Sequence, residues 1–421
     1  MNFEEKELKI LRDAVDNATT VVGKKTAQSE DIKNIISILE TFLRTHKTVC
    51  YGGTAINNIL PEQYRFYNRN IEIPDYDFFS PQALDDAKEL ADLYLKAGFQ
   101  NIEAKAGVHS GTYKVFVNYI PVADITQLPA ELFETLQKEA LIRRGVRYAP
   151  PEYLQMSMYL ELSRPMGDVS RWAKVLHRLS LLTKAYPLKV KQCSSVEFAR
   201  SFGGTREEGK KITTAIVNAV AKAGGVFFGG YAASVYNKKL DPEDRVSISK
   251  SPDFDVLVTD VGPVLALIVR SLERQDLTPT VIEHDGYGEI ISPHYEIQVL
   301  GESVLFLYEA LACHNYNIIS VNKQKIRIAT LDTMLSLYLA FLYSDREYHD
   351  KQRIYCMAKF AFDLQQNNKV SRVGVLKRFT LECIGHQKSK PELFAERSAL
   401  FSTLEKGTKD YERHFLKYIP R

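Results

Sequence analysis

Asp75 and Asp77 stand one residue apart in "IPDYDFF", and Asp124 follows in "IPVADIT". Side chains two apart on a strand point to one face, which would set Asp75 beside Asp77 and turn Tyr76 into the core. Two adjacent carboxylates repel by about a few kcal/mol at a typical protein dielectric. A divalent cation removes that cost, and Mg²⁺ favours carboxylate oxygens and substrate phosphates. With Asp124 supplied by a neighbouring strand, the set could hold two cations about 4 Å apart, one activating a hydroxyl and one stabilising a leaving pyrophosphate.

A glycine pair supplies the complement. Gly52 and Gly53 lack side chains, so their amides can approach a phosphate, and a helix N-terminus behind them favours negative charge. The Thr54 hydroxyl can donate to a phosphate oxygen. Amides for phosphates beside carboxylates for metals point to phosphoryl or nucleotidyl transfer.

These residues need particular elements to hold them. Apolar spacing predicts a helix near 30–45, then a strand at 47–51, with the glycines turning the chain into a second helix. A strand carries "EIPDYDFF", and "PQALDDAKELADLYLKAG" reads as a helix that Gly98 terminates. The run "TYKVFVNYIPVADI" reads as a hairpin limb ending at Asp124, and 130–186 as mainly helical. The expected class is α+β, a mixed sheet with flanking helices. No role follows from the residues for "PEQYRFYNRN", which widens the gap between Gly53 and Asp75.

The same order recurs downstream. "FFGGYAASVYN" carries Gly229 and Gly230, and "PDFDVL" carries Asp253 and Asp255, at nearly constant offset from the first set. "SPHYEIQ" around Glu296 resembles "IPVADIT" around Asp124. The helices "YLQMSMYLEL" and "DTMLSLYLAF" also match, with Ser157 opposite Ser336. Two tandem, related domains are expected, each followed by a helical segment: 1–190, 191–390, and a helical tail at 391–421. In the second copy Tyr231 replaces Thr54 and Glu296 stands opposite Asp124. A 1 Å misplacement at such a site can cost about 100-fold in rate, so the first copy is expected to be the catalyst and the second a scaffold or binding surface.

Composition constrains the partners. The chain has 421 residues, 45% hydrophobic and 25% charged, with a formal net charge of +3. Its longest apolar runs fall short of the roughly 20 residues of a membrane span, and "MNFEEKELKILRDAV" has no signal-peptide pattern. Neither a membrane association nor secretion is expected. Cys50, Cys193, Cys313, Cys356 and Cys383 never form a "CxxC" pair, which predicts reduced thiols in an intracellular compartment and no structural zinc. Basic clusters at Arg143/Arg144/Arg147, Arg171/Lys174/Arg178, Lys184/Lys189/Lys191 and Lys369/Arg372/Lys377/Arg378 read either as solvated faces or as a discontinuous polyanion surface.

The order Gly52, Gly53, Asp75, Asp77, Asp124 resembles the DNA polymerase beta superfamily of nucleotidyltransferases. "YGGTAINNIL", "IPDYDFFS", "VADI" and especially "YAPPEYLQMSMYLELSRPMGDVSRWAKVLHRL" resemble the poly(A) polymerase catalytic subunits of large cytoplasmic DNA viruses, poxvirus and giant-virus enzymes among them. The resemblance implies template-independent addition of AMP from ATP to mRNA 3′ ends. It implies two Mg²⁺ or Mn²⁺ ions at Asp75, Asp77 and Asp124, and a triphosphate held by Gly52, Gly53 and Thr54. Arg171, Lys174 and Arg178 become candidates for nucleotide phosphate or RNA contacts, and Trp172 for packing ahead of base stacking. It further implies single-stranded RNA as partner, a second copy or a processivity/methyltransferase subunit as helper, and residence in the host cytoplasm or virion. Two alternatives stand beside it: transfer to a tRNA end, a protein or a small molecule, and a non-catalytic RNA-binding scaffold.

Overall fold

A computed structural model describes residues 3–421 apart from 189, 191–192, 194–195, 241, 249–250, 289, 345 and 368–376. The chain forms two compact units, one of residues 1–150 and 389–421, the other of residues 151–388. The boundaries expected near 190 and 390 divide the chain by motif; these units divide it by packing.

The first unit runs α1 (Phe3–Ala27), α2 (Glu30–Thr45), β1 (Val49–Tyr51), α3 (Gly52–Ile59), β2 (Tyr76–Ser80), α4 (Ala83–Lys96), β3 (Ile102–Ala106), β4 (Thr112–Val117), β5 (Ile120–Gln127), α5 (Ala130–Glu139), β6 (Leu141–Arg143) and β7 (Val146–Tyr148). The second comprises α6 (Pro151–Leu162), α7 (Trp172–Ala185), α8 (Arg206–Ala223), β8 (Val226–Phe228), α9 (Gly229–Asn237), β9 (Phe254–Val258), α10 (Val261–Glu273), β10 (Pro279–His284), β11 (His294–Val299), β12 (Glu302–Glu309), β13 (His314–Val321), β14 (Gln324–Ala329), α11 (Leu331–Phe341), α12 (Lys351–Asn367) and β15 (Cys383–Ile384). The tail adds α13 (Lys390–Thr403), α14 (Lys409–Phe415) and β16 (Lys417–Tyr418) to the first unit.

Each unit has one mixed eight-stranded sheet, ordered β16-β3-β4-β5-β2-β1-β7-β6 and β10-β11-β12-β9-β8-β14-β13-β15. Seven strands correspond one to one, and each sheet adds a single edge strand. The α+β class and the duplication are therefore built into the backbone. The match extends to α6 and α11, which follow β7 and β14: the Ser157 hydroxyl donates to the Leu154 carbonyl at 2.9 Å, and Ser336 donates to Thr333 at 2.8 Å. Both helices pack together inside the second unit.

Local signals explain the elements around the site. Ser29 caps α2, whose spacing buries Ile32, Ile35, Leu39, Phe42 and Leu43 against the sheet; each such burial is worth about 1.5–3 kcal/mol. The β4–β5 hairpin turns on Asn118 and Tyr119, at φ 50° and 64°, the mirror-image turn that matches strand twist. The tail is tied to the sheet edge by β16 against β3, and by a 2.8 Å bond from the Tyr418 hydroxyl to Asp92.

The cysteines correct the sequence expectation of reduced thiols. Cys193 pairs with Cys356 and Cys313 with Cys383, at Cα separations of 5.4 and 5.2 Å, while Cys50 stays a buried free thiol. The partners lie 163 and 70 residues apart, and only the fold brings them together. Of the fourth basic cluster, Arg378 is no surface charge: it binds buried Asp332 through two bonds of 2.8 and 2.6 Å. Lys189, Lys191, Lys369 and Arg372 lie outside the described residues.

Candidate active site

Strand pairing builds the site. β2 and β5 run parallel with Asp77 directly across from Asp124, and β1 runs antiparallel to β2 with Tyr51 across from Asp77. Asp77, Asp124 and Tyr51 therefore share a face, while Tyr76, Phe78, Ala123 and Ile125 fill the buried one. Asp75 lies one residue before β2, exposed at its mouth, rather than within the strand as the sequence suggested.

Gly52 begins α3 at φ +71°, a left-handed conformation, and a Cβ there would overlap the Asp77 carboxylate. Both facts require glycine. The preceding Tyr51 makes no side-chain cap on α3, so the helix start is not closed by its own cap. Thr54 is buried, and its hydroxyl donates to the Asp75 carbonyl at 2.5 Å. The threonine therefore fixes the backbone that presents the acidic pair.

Asp124 forms an ion pair with the ammonium of Lys114, its cross-strand neighbour on β4. Burial, followed by Asp77, pushes the Tyr51 phenol above its ordinary pKa; its hydroxyl shares a 2.9 Å bond with Thr126. Among the described residues no three His, Cys, Asp or Glu side chains converge tightly enough to enclose a metal ion. The donor set nevertheless fits a hard divalent cation: carboxylate oxygens, two of them in register on adjacent strands.

The loop without a sequence role now has one. Asn57 Oδ1 accepts the amides of Phe66 and Tyr67 at 2.9 Å each, and Arg65 Nε donates to the Leu60 carbonyl at 3.3 Å. The second unit repeats both latches, with Asn237 accepting from Val246 at 3.0 Å and Arg245 donating to Leu240 at 2.9 Å. The loop belongs to the duplicated frame. Arg69 completes it by bonding Asn58 at 3.0 Å, near Tyr76 and Glu40.

In the second unit, Gly229 repeats φ +71° and would meet Asp255 as Gly52 meets Asp77. The third acid is different. β12, not β11, lies parallel to β9, and Phe306 stands across from Asp255. Glu296 sits one strand further out, across from Phe306, where the first unit has Lys114. The alignment of Glu296 with Asp124 is thereby corrected: Phe306 replaces Asp124. Glu296 binds His284 at 2.7 Å, and although burial opposes it, bonds from Ser303, Gln298 and His284 hold its pKa below the usual value.

An arginine bridges this acidic pair. Arg200 bonds both Asp253 and Asp255, the latter at 3.2 Å, and its guanidinium lies 4.3 Å from the Phe306 ring centre. Its backbone amide adds a 2.9 Å bond to Asp253, and Arg353 approaches the same carboxylate at 3.5 Å. Burial raises the Asp255 pKa while Arg200 pulls it down. Sequence reasoning missed Arg200, because Glu296 was read as the third acid and only the strand pairing puts Phe306 in that place.

Arg171, Lys174 and Arg178 lie in the second unit, with the carboxylates in the first. Arg171 pairs with Glu161 at 3.2 Å, Lys174 is exposed, and Arg178 is buried. The Trp172 indole donates to the Glu161 carbonyl at 3.0 Å and packs near Phe379, with ring centres 5.5 Å apart.

Known proteins resemble this chain in sequence and in fold. Residues 37–168 match the family model described as poly(A) polymerase catalytic subunit. A relative named "Putative poly(A) polymerase catalytic subunit" from African swine fever virus (isolate Pig/Kenya/KEN-50/1950) is 29% identical over 188 residues, 43% of this chain and 39% of the relative. One of the same name from Acanthamoeba polyphaga mimivirus is 27% identical over 190 residues, 44% of this chain and 32% of that one. The chain thus spans well under half the length of these curated relatives. The crystal structure of the Megavirus polyadenylate synthase superposes with a TM-score of 0.80 at 18% identity, covering 96% of this chain and 84% of that one. By sequence over residues 37–168 and by fold over nearly its whole length, the chain resembles the poly(A) polymerase catalytic subunits of large DNA viruses.

Proposed function

We propose that the first unit is a template-independent polynucleotide adenylyltransferase that lengthens RNA 3′ ends with AMP from ATP. The observation that carries this reading is the in-register pair Asp77–Asp124 beside a glycine-led helix start, in a chain whose residues 37–168 match the catalytic-subunit family. The acceptor 3′-hydroxyl oxygen attacks the α-phosphorus and gives up its proton to solvent; the new O–P bond forms as the bond from the α-phosphorus to the bridging oxygen breaks, and pyrophosphate leaves with that bond's electrons. Two Mg²⁺ or Mn²⁺ ions, held by Asp75, Asp77 and Asp124, would make the hydroxyl more acidic and offset charge on the leaving group. Gly52 and Gly53 let backbone amides approach the triphosphate. Thr54 keeps Asp75 in place through its carbonyl.

The second unit is read as a degenerate copy that supports RNA. Exposed Arg171 and Lys174 are proposed for RNA or phosphate contacts, and buried Arg178 for holding α7 in place. Processivity falls to a second copy or a separate viral subunit, and the expected location is the host cytoplasm or the virion. Radiolabelled ATP offered with an oligo(A) primer and Mg²⁺ tests the reading. A ladder of long products that chelation abolishes supports it; addition of only one or a few nucleotides contradicts it.

A further inference from the structure

Four charged residues cross the first sheet in register: Asp77 on β2, Asp124 on β5, Lys114 on β4 and Lys105 on β3. All four share the open face, since their neighbours Phe78, Ala123, Val115 and Ala104 are buried on the other. The row reads negative, negative, positive, positive. Lys114 is more exposed than the acid it pairs with, 38% against 19%. Lys105 extends over the Phe116 ring, 4.2 Å from its centre, on the same side.

An ammonium and a divalent cation cannot share one carboxylate without repelling each other. Cation binding at Asp124 therefore weakens its hold on Lys114. The released ammonium is then a cation on the side of the carboxylates away from Asp77, with Lys105 beyond it. An RNA strand whose 3′-hydroxyl lies at Asp124 and whose backbone crosses β4 and β3 would bring its phosphates to those lysines. In the second unit the same four positions hold Asp255, Phe306, Glu296 and Ile282. The lysine is present where the third acid is present and absent where it is absent.

We propose that Lys114 is a positioning residue: it holds Asp124 while no cation is bound, and on cation binding transfers its ammonium to a backbone phosphate of the acceptor RNA. The RNA half rests on the adenylyltransferase reading; the exchange at Asp124 does not.

The test uses the full chain with Lys114→Met, which keeps the aliphatic stem, and Lys114→Arg, which keeps the charge. Mn²⁺ binding is titrated by electron paramagnetic resonance without ATP or RNA, and oligo(A) binding by fluorescence anisotropy across a salt series with and without Mn²⁺. K114M is expected to bind Mn²⁺ about three- to tenfold more tightly than wild type, with K114R near wild type. With Mn²⁺ present, the salt slope of oligo(A) binding should fall by about one phosphate contact in K114M; without Mn²⁺ it should match wild type. Unchanged or weaker Mn²⁺ binding by K114M overturns the proposal, as does an identical salt slope in Mn²⁺. If both shifts appear but the wild type never extends a primer, the polymerase reading fails and the exchange stands.

Discussion

Phe306 stands directly across from Asp255 in the parallel β9–β12 pair, at the position Asp124 holds across from Asp77 in β2–β5. One aromatic ring thus removes the third oxygen ligand, and Arg200 neutralises the two acids left behind. The two sheets differ at the position of the third acid.

Arg200 is predicted to be structural. Arg200→Ala would strip buried Asp253 and Asp255 of their main cation and leave Arg353 at 3.5 Å from Asp253; breaking such a buried pair typically costs about 3–5 kcal/mol. Chemical denaturation should show the second unit strongly destabilised. Mg²⁺ should not restore its stability, because Phe306 offers no oxygen where the first unit has Asp124.

Gly52→Ala is predicted to damage the site more than the fold. The added methyl group would overlap the Asp77 carboxylate, and φ +71° disfavours alanine. The strain costs about 1–2 kcal/mol, whereas a displacement of about 1 Å at Asp77 lowers turnover by about 100-fold. Melting curves and primer extension on the same preparation separate the two effects.

Thr54 anchors the Asp75 carbonyl through a buried hydroxyl. Thr54→Ser retains the donor and should keep most activity. Thr54→Val keeps the shape and loses the bond, which should cost about 1–3 kcal/mol and reduce primer extension well below that of the serine variant.

Acid should weaken the second unit. Burial lowers the pKa of His294 to about 4, of His314 to about 3 and of His349 to about 2. Unfolded histidine titrates near 6.5, so between these values the unfolded chain binds more protons than the folded one. The stability is complete above about pH 6.5 and declines as pH falls toward 4. Thermal melts between pH 7.5 and 4.5, with changes assigned to the unit by the His349→Gln variant, should show the decline and its partial relief.

The duplicated punctuation was legible because glycine pairs and alternating acids leave local marks. Gly52 and Gly229, with Asp77 and Asp255 on the adjacent strand, were found from spacing alone. The partner of Asp124 was not, since "YEIQ" and "ADIT" alternate alike and only strand pairing reveals that β11 lies one place too far out. Arg200 was hidden for a related reason: it sits in coil some fifty residues before the acids it neutralises, and reaches them only through the tertiary fold. The cysteine partners were invisible at their sequence separations of 163 and 70 residues.

The most direct measurement compares primer extension by Asp124→Ala with that by Phe306→Ala, each checked for folding, using oligo(A), ATP and Mg²⁺. A first-unit active site predicts that D124A loses at least about 100-fold in rate while the folded F306A protein extends the primer near the wild-type rate. Extension that survives D124A and is abolished in folded F306A would contradict the assignment and move the chemistry to the second unit.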